Sequence, residues 1–317
     1  MKKILVLGGT GFIGRNLCEE LAKNGFAMTV PTRRVYHARC VQHLQHLNIV
    51  ETDIQDESRL AALLAGHDAV INLVGILHGS EQAFNEVHVE LARKLAAACQ
   101  TARVRRVIHV SCLGQSEDAP SRYLRSKTEG EAILRAAPLA LTVIRPSVVF
   151  GADDRFMNTL GHWSTLLPVL PVPAPDARLQ PVWVRDLAVA LVRCVQDDAS
   201  IGKTYEAVGP EALSMREIAE LACQWSHMGG GEPTPVVRLP MALAYFEAWL
   251  MEIMPGEPLM SRDNLETARV PSVASGELPT LAALGVDAQS MRGIAPAYMG
   301  QDSRAARLDR FRQYANR

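Results

Sequence analysis

A chain of 317 residues, 48% hydrophobic and 21% charged with a formal net charge of −1, has a soluble, globular composition with room for one large or two modest domains. So even a balance argues against a nucleic-acid binder, which would carry a basic patch, and no stretch reaches the ~18 apolar residues of a membrane-spanning helix. Six cysteines, at 18, 40, 99, 112, 194 and 223, make no C-x-x-C pair, which points to reduced core thiols in a cytoplasmic protein.

Ile4 to Leu7 are four apolar residues in a row, the pattern of a strand buried on both faces of a parallel sheet. The preceding Lys2-Lys3 resembles the start of an export signal, but the run stops at Gly8-Gly9 with no small-residue cleavage site, so export is not expected. Gly9-x-Gly11-x-x-Gly14 fits the dinucleotide fingerprint. Phe12 to Lys23 follow as an amphipathic helix with Ile13, Leu17 and Leu21 on one stripe. One glycine permits the tight turn, one lets backbone approach a pyrophosphate, and one lets helix pack close to sheet. The helix start adds free N–H groups and partial positive charge. Gly8, Thr10, Gly11, Phe12, Ile13 and Gly14 are the predicted cradle.

The second strand, Phe26 to Thr32, ends in Arg33-Arg34. NAD-binding folds place a carboxylate there for the ribose 2′-hydroxyl. A guanidinium grips a 2′-phosphate instead, so NADP(H) is favoured over NAD(H), with Arg33 and Arg34 as its contacts. Tyr36 to Leu47 read as a short helix. Its Cys40, His43 and His46 are spread around the surface without a fourth ligand, so no metal is expected. A third strand, Ile49 to Glu51, leads to Asp53-Ile54. Asp53 either faces the adenine or caps the helix Glu57 to Leu64. The fourth strand, Ala69 to Val74, runs into Gly75, where a small residue leaves Val74 and Gly75 free to sit against the adenine ribose. A helix from Phe84 to Ala98 and a fifth strand, Val107 to Ser111, complete an alternation that implies a doubly wound parallel sheet.

Tyr123 and Lys127 stand one turn apart on a helix running to about Arg135. A cationic lysine beside a tyrosine would lower the phenol's pKa, making the pair a general acid or base next to a nicotinamide. With Gly8-Gly9-Thr10-Gly11-Phe12-Ile13-Gly14, Asp53-Ile54 and Arg145-Pro146-Ser147-Val148-Val149-Phe150-Gly151, these residues make the chain resemble the extended short-chain dehydrogenase/reductase superfamily. Tyr123 to Glu131, Asp154 to Asn158 and Leu179 to Ala188 make it most similar to the atypical branch containing an accessory subunit of respiratory complex I and its bacterial relatives. The resemblance implies that Pro146 and Val149 lie beside the nicotinamide, and that Ser111, Tyr123 and Lys127 contact the nucleotide. It also implies a hydroxyl just past the fifth strand, where this chain has Cys112 or Leu113. Ser111 and Ser116 are the candidate substitutes. The family's helix asparagine is replaced by His88, read as a satisfied buried histidine in preference to a holder of water.

Beyond Gly151 the composition shifts. Pro168, Pro171, Pro173 and Pro175 mark a connecting loop. Val182 to Val184 and Tyr205 to Val208 read as strands, Asp186 to Val195 as a helix, and Ser214 with Glu217 as a capping box for a helix to Ser226, ended by Gly229-Gly230-Gly231. The expected organisation is a Rossmann-type α/β domain over 1–150, joined by about 180–209. A smaller α/β substrate-side domain takes 151–179 and 210–300, and a basic tail 301–317. Met241 to Met254, between Pro240 and Pro255, form an apolar helix. It packs on its own domain or, with the arginine-rich tail, offers a face to a respiratory-complex partner or a membrane surface. The resemblance implies an NADP(H)-binding protein of structural or assembly role near complex I or quinone metabolism, cytoplasmic and peripheral to the inner membrane face. The alternative is an active oxidoreductase, epimerase or dehydratase, acting for example on a nucleotide sugar, with Tyr123 as acid/base and Lys127 orienting the ribose.

Overall fold

The computed structural model describes residues 1–227, 232–254 and 260–299; Gly229-Gly230-Gly231 and the arginine-rich tail lie outside them. In chain order the elements are β1 (Lys3–Leu7), α1 (Phe12–Lys23), β2 (Ala27–Thr32), β3 (Leu47–Glu51), α2 (Glu57–Leu64), β4 (Ala69–Asn72) and α3 (Glu81–Phe84). α3 passes through a π-helical turn, Asn85–Glu90, into α4 (Leu91–Ala102). Next come β5 (Arg106–Val110), α5 (Arg122–Ala136), β6 (Ala140–Pro146), β7 (Val149–Phe150), α6 (Phe156–Leu166), β8 (Leu170–Val172), β9 (Arg178–Leu179), β10 (Val182–Trp183) and α7 (Val184–Gln196). The series ends with β11 (Thr204–Ala207), β12 (Leu213–Ser214), α8 (Met215–Ser226), β13 (Val236–Arg238), α9 (Met241–Ile253), α10 (Arg262–Thr267), α11 (Met291–Ile294) and α12 (Pro296–Met299).

These elements fall into two compact units. The first comprises Met1–Ser147, Val184–Ala207 and Ala274–Asp287. Its sheet has the strand order β11-β6-β5-β4-β1-β2-β3, every pairing parallel. The order reverses between β1 and β4, and such a switch point opens a crevice at the carboxyl ends of the strands. Ile4, Leu5, Val6 and Leu7 are fully buried, as four consecutive apolar residues require of a strand covered on both faces. α1 buries Gly14, Leu17, Cys18 and Leu21, a stripe turned slightly from the predicted one, with Ile13 at its margin.

The sequence division placed 274–287 elsewhere. Glu206 explains the difference: only 3% exposed, its backbone N–H donates to Pro279 O at 2.9 Å and its carboxylate accepts from Ser275 N at 2.9 Å. These bonds, together with burial of Leu281, Leu284 and Val286, tie the segment to the first unit. Three local expectations also change. The helix expected over Tyr36–Leu47 is a 3-10 turn, Val35–Cys40, because His46 takes a left-handed φ of 58° and β3 begins at once. The cap of α2 is Asp56, whose side chain accepts from Arg59 N, so Asp53 is released from that role. The long helix expected from Phe84 starts earlier, capped by Ser80, and carries the π turn because His88 O seats against Gly130, where a Cβ would lie 2.2 Å away.

The second unit comprises Val148–Trp183, Val208–Val273 and the stretch from Ala288. It holds the strand pairs β7 with β10, β9 with β12, and β8 with β13, so Val149 belongs here, opposite Val182. β8 interrupts the predicted proline-rich loop; a short two-stranded edge tolerates Pro171. Ser214 and Glu217 form the predicted capping box. Phe150, Met157, Ile218, Ala222 and Met291 are among its core. α9 buries only Ala244 and Ala248. No helix among the described residues is long and apolar enough to cross a membrane.

Candidate functional site

The glycine turn between β1 and α1 is built by close approach. Gly8 has a φ of 80°, which favours glycine, and a Cβ there would lie 3.2 Å from Leu73 C and 3.3 Å from Val74 N. A Cβ on Gly14 would lie 2.2 Å from Gly8 O, so the helix start is pressed onto the turn. Gly11 N donates to Gly8 O at 3.0 Å, and Gly11 caps α1 with no side-chain hydrogen bond. The helix thus presents first-turn N–H groups at the switch point without a protein cap. That is a cradle an anionic diphosphate fits, with Thr10, Phe12 and Ile13 on its rim, part-buried.

Thr32 ends β2 and ties the next turn, its Oγ1 donating to Arg34 O at 3.0 Å. Arg33 and Arg34 are both exposed, and neither has an ion-pair partner among the described residues. Asp53 is exposed and accepts from Gln55 N at 2.9 Å; Ile54 packs on the core beneath it. Across the switch point Asn72 Oδ1 accepts from Val74 N at 3.1 Å, fixing the bend that brings Leu73 and Val74 beside Gly8.

The acid/base set is arranged differently from its expectation. α5 begins at the Ser121 cap, which accepts from Leu124 N, and carries Tyr123 and Lys127 one turn apart. Lys127 is buried, and its Nζ donates to Val110 O at 2.8 Å. Burial pulls its pKa down, offset in part by Cys112 and Glu131. The Tyr123 phenol is bonded to the Cys112 thiol, and burial together with that thiol raises its pKa well above the ordinary tyrosine value. The lysine therefore does not make Tyr123 more acidic, because its charge is committed to a backbone carbonyl and desolvation dominates. Burial also pushes the Cys112 thiol up to about 11.

Ser111 Oγ, at the end of β5, donates to Gln115 Oε1 at 2.5 Å, and Gln115 in turn donates to Glu131. Glu131, one turn beyond Lys127 and 2% exposed, receives Arg145 at 2.6 and 3.1 Å and Arg135 at 2.8 Å. Although burial opposes it, the arginine and glutamine hydrogen bonds bring its pKa down to about 2. This network escaped the sequence reading, although Lys127-x-x-x-Glu131 with Gly130 could have flagged a buried polar helix face. His88 Nε2 accepts from Ile76 N at 3.1 Å, so its Nδ1 carries the proton and meets Ser126 Oγ at 2.8 Å. Burial lowers its pKa to about 3, the state of a satisfied core histidine. Leu113 N donates to Pro146 O at 3.0 Å, which joins Pro146 to the same loop, while Val149 lies in the other unit.

The sequence model of the NAD dependent epimerase/dehydratase family matches residues 4–207. The mitochondrial NADH dehydrogenase [ubiquinone] 1 alpha subcomplex subunit 9 of Arabidopsis thaliana is 37% identical over 225 residues, 68% of this chain and 56% of that protein. Its counterpart from Mus musculus is 31% identical over 288 residues, 89% of this chain and 75% of that one. The chain thus spans little more than half of the plant relative's length. A ceramide reductase from Caulobacter vibrioides is 29% identical over 252 residues, 78% of each chain. Among solved structures, a nucleoside-diphosphate-sugar epimerase from Staphylococcus aureus superposes with a TM-score of 0.72 at 17% identity, covering 92% of this chain and 98% of that one. UDP-glucuronic acid 4-epimerase from Bacillus cereus, in complex with UDP-glucuronic acid and NAD, gives 0.65 at 19%, covering 90% and 97%. These last two likenesses concern the fold.

Proposed function

The chain belongs to the NAD dependent epimerase/dehydratase family, and from that premise we propose that it holds NADP(H) as a structural ligand and serves a respiratory complex as a peripheral or assembly component. The carrying observation is that each group expected to act on a substrate is already bonded within the protein. Tyr123 is bonded to Cys112, Lys127 donates to Val110 O, and Ser111 donates to Gln115. Preference for the phosphorylated nucleotide rests on Arg33 and Arg34, exposed at the end of β2 and without an ion-pair partner among the described residues, where a 2′-phosphate would take a guanidinium as its partner. Bound there, the nucleotide could supply hydride chemistry, but burial holds the Tyr123 proton too firmly for the phenol to use it. Titration calorimetry tests the reading. NADPH should bind more tightly than NADH, and Arg33→Ala should shrink the difference; equal affinities would remove the 2′-phosphate argument.

For the partner we propose a protein face. Leu243, Phe246, Trp249, Leu250 and Ile253 follow helical spacing on α9, each between 44% and 61% exposed. The helix carries Glu247 and Glu252 but no Lys or Arg, and Glu252 is paired with Arg262 at 2.8 Å. An anionic lipid surface has nothing to attract it there, whereas an apolar helix with a basic edge finds Glu247 as its partner. Such a role keeps the protein in the cytoplasm, against the inner face of the membrane. Phe246→Glu with Leu250→Glu should abolish co-migration with respiratory complexes on native gels; flotation with anionic vesicles, lost in the same variant, would transfer the face to lipid.

A second reading, an active oxidoreductase, is favoured by the co-location of Tyr123 and Lys127 on α5 and by the ceramide reductase relative. On any substrate found, Tyr123→Phe should abolish nucleotide-dependent turnover.

A further inference from the structure

The Val74 N–H is a backbone donor and can be satisfied only by an acceptor, so the Asn72 side chain must present its oxygen there, as the 3.1 Å bond requires. That leaves Asn72 Nδ2 facing the ring of His109, 3.2 Å from Nδ1. An amide nitrogen only donates. His109 Nδ1 is therefore bare, and the neutral ring carries its proton on Nε2. We infer that His109 is a positioning residue of the nucleotide site: as the acceptor behind Asn72, it sets which way the amide faces and so holds the Val74 backbone against the glycine turn. The inference rests on the proposed NADP(H) site and adds to it a buried residue on β5.

Asn72 on β4 and His109 on β5 are register partners in parallel strands, 3% and 4% exposed, so solvent does not compete for the amide. The oxygen and nitrogen of an amide have nearly the same shape, and packing alone does not choose between the two orientations; the neighbouring donors and acceptors do. Turned over, the amide would set its NH₂ against the Val74 N–H and its oxygen against the bare Nδ1. Both bonds would be lost at once, in a place where each unmet polar group is costly.

The Val74 backbone matters because the glycine turn rests on it. A Cβ on Gly8 would lie 3.3 Å from Val74 N and 3.2 Å from Leu73 C, so any outward swing of this strand end removes the wall that Gly8 approaches. Two residues on, Ile76 N donates to His88 Nε2 at 3.1 Å, and the bend is thus held by imidazoles at two points, through Asn72 at one and directly at the other. Burial, then Lys127, His88 and Arg135 against the opposing Glu131 carboxylate, takes the His109 pKa well below the ordinary histidine value. A neutral ring is what the arrangement needs, since a proton on Nδ1 would make it a donor and turn the amide over.

Three measurements on the full-length protein test this, the first two without nucleotide. Long-range proton–nitrogen NMR spectra should show His109 as the Nε2–H tautomer; a proton on Nδ1 would end the inference. Amide exchange at Val74 should quicken about tenfold in His109→Phe, which keeps the ring's bulk and loses one acceptor. His109→Asn, whose Oδ1 can stand where Nδ1 stood, should restore the parental rate. Leu73, whose N–H donates to Leu7 O at 3.0 Å, serves as the control. Its exchange should stay unchanged, and equal quickening at both amides would mean general loosening and refute the positioning role. The third measurement is calorimetry with NADPH. Asn72→Leu and His109→Phe should each weaken binding about tenfold, and the double variant no further than either alone, because the two act through one bond. Losses that multiply would show that His109 does not act through Asn72. If the parent binds no NADPH, the functional reading fails instead, while the tautomer and the Val74 exchange still decide whether His109 sets the bend.

Discussion

Gly14 offers the sharpest test of the cradle, because steric and ligand effects can be separated by comparing it with Gly11. A Cβ at Gly14 would lie 2.2 Å from Gly8 O and 2.6 Å from Gly9 Cα, whereas ordinary contact begins at 3.4 Å. α1 must therefore move by about 1 Å against backbone that has no rotamer to give. Overpacking of this kind costs roughly 1–3 kcal/mol. The same displacement swings the first-turn N–H groups off a bound diphosphate, and each hydrogen bond to a charged group is worth about 1.5–3 kcal/mol. Gly14→Ala should thus lose at least tenfold in NADPH affinity and also unfold at lower urea. At Gly11 the added Cβ meets only Gly8 O, at 3.2 Å, and the backbone sits at φ −77°, open to alanine. Gly11→Ala should keep its urea midpoint and lose affinity alone, since it intrudes only where the ligand approaches. Calorimetry beside urea denaturation reads both quantities. Parental affinity in Gly14→Ala would refute the claim that close helix packing aims those donors.

His88 is held neutral by burial, its pKa lowered from 6.5 to about 3, so its contribution is fully present above pH 6.5 and is lost as pH falls toward 3. Unfolding free energy should drop by about 1.4 kcal/mol per pH unit from this group over that window, and urea melts of His88→Gln should show a shallower slope between pH 6.5 and 5. Glu131 runs in a lower window, with stability present above 4.5 and lost as pH falls through about 2; the full effect is about 3 kcal/mol. Glu131→Gln leaves Arg145 without its carboxylate and should cost about 3 kcal/mol at pH 7; a melt within 0.5 kcal/mol of the parent would mean that the network is not structural.

The cradle was legible in the sequence because its signal is the backbone's. A buried apolar run, three glycines and an amphipathic stripe each constrain the main chain, and neighbours in sequence remain neighbours in space. Asp53, Ile54, Val74 and Gly75 are expected on the same grounds, since strand ends at a switch point converge whatever their side chains do. The expected acidification of Tyr123 by Lys127 failed because spacing on a helix fixes which residues share a face. It does not fix where a four-carbon side chain sends its charge. Val110 O, 17 positions earlier, took the ammonium, and no pattern along α5 announces that. Glu131 with Gln115 and Arg145 was hidden in the same way: its partners come from a loop and from β6. The segment 274–287 was hidden because its three buried apolar residues, Leu281, Leu284 and Val286, are too few to show a period, and its hydrogen bonds to Glu206 leave no mark in sequence.

These two kinds of signal bear differently on function. A nucleotide cradle needs little more than aimed backbone donors and room, both of which survive any side-chain change that leaves the glycines alone. Proton transfer needs a phenol whose proton is loosely held, and that depends on single atoms across the strand ends. Here burial works against both members of the pair, raising the phenol and lowering the ammonium. The hydrogen bonds that could offset burial point to Cys112 and Val110 O, with neither directed from lysine to phenol. Desolvating an acid and a base without coupling them stabilises the neutral phenol. That state can hold a site closed around a ligand, and it cannot readily give up its proton.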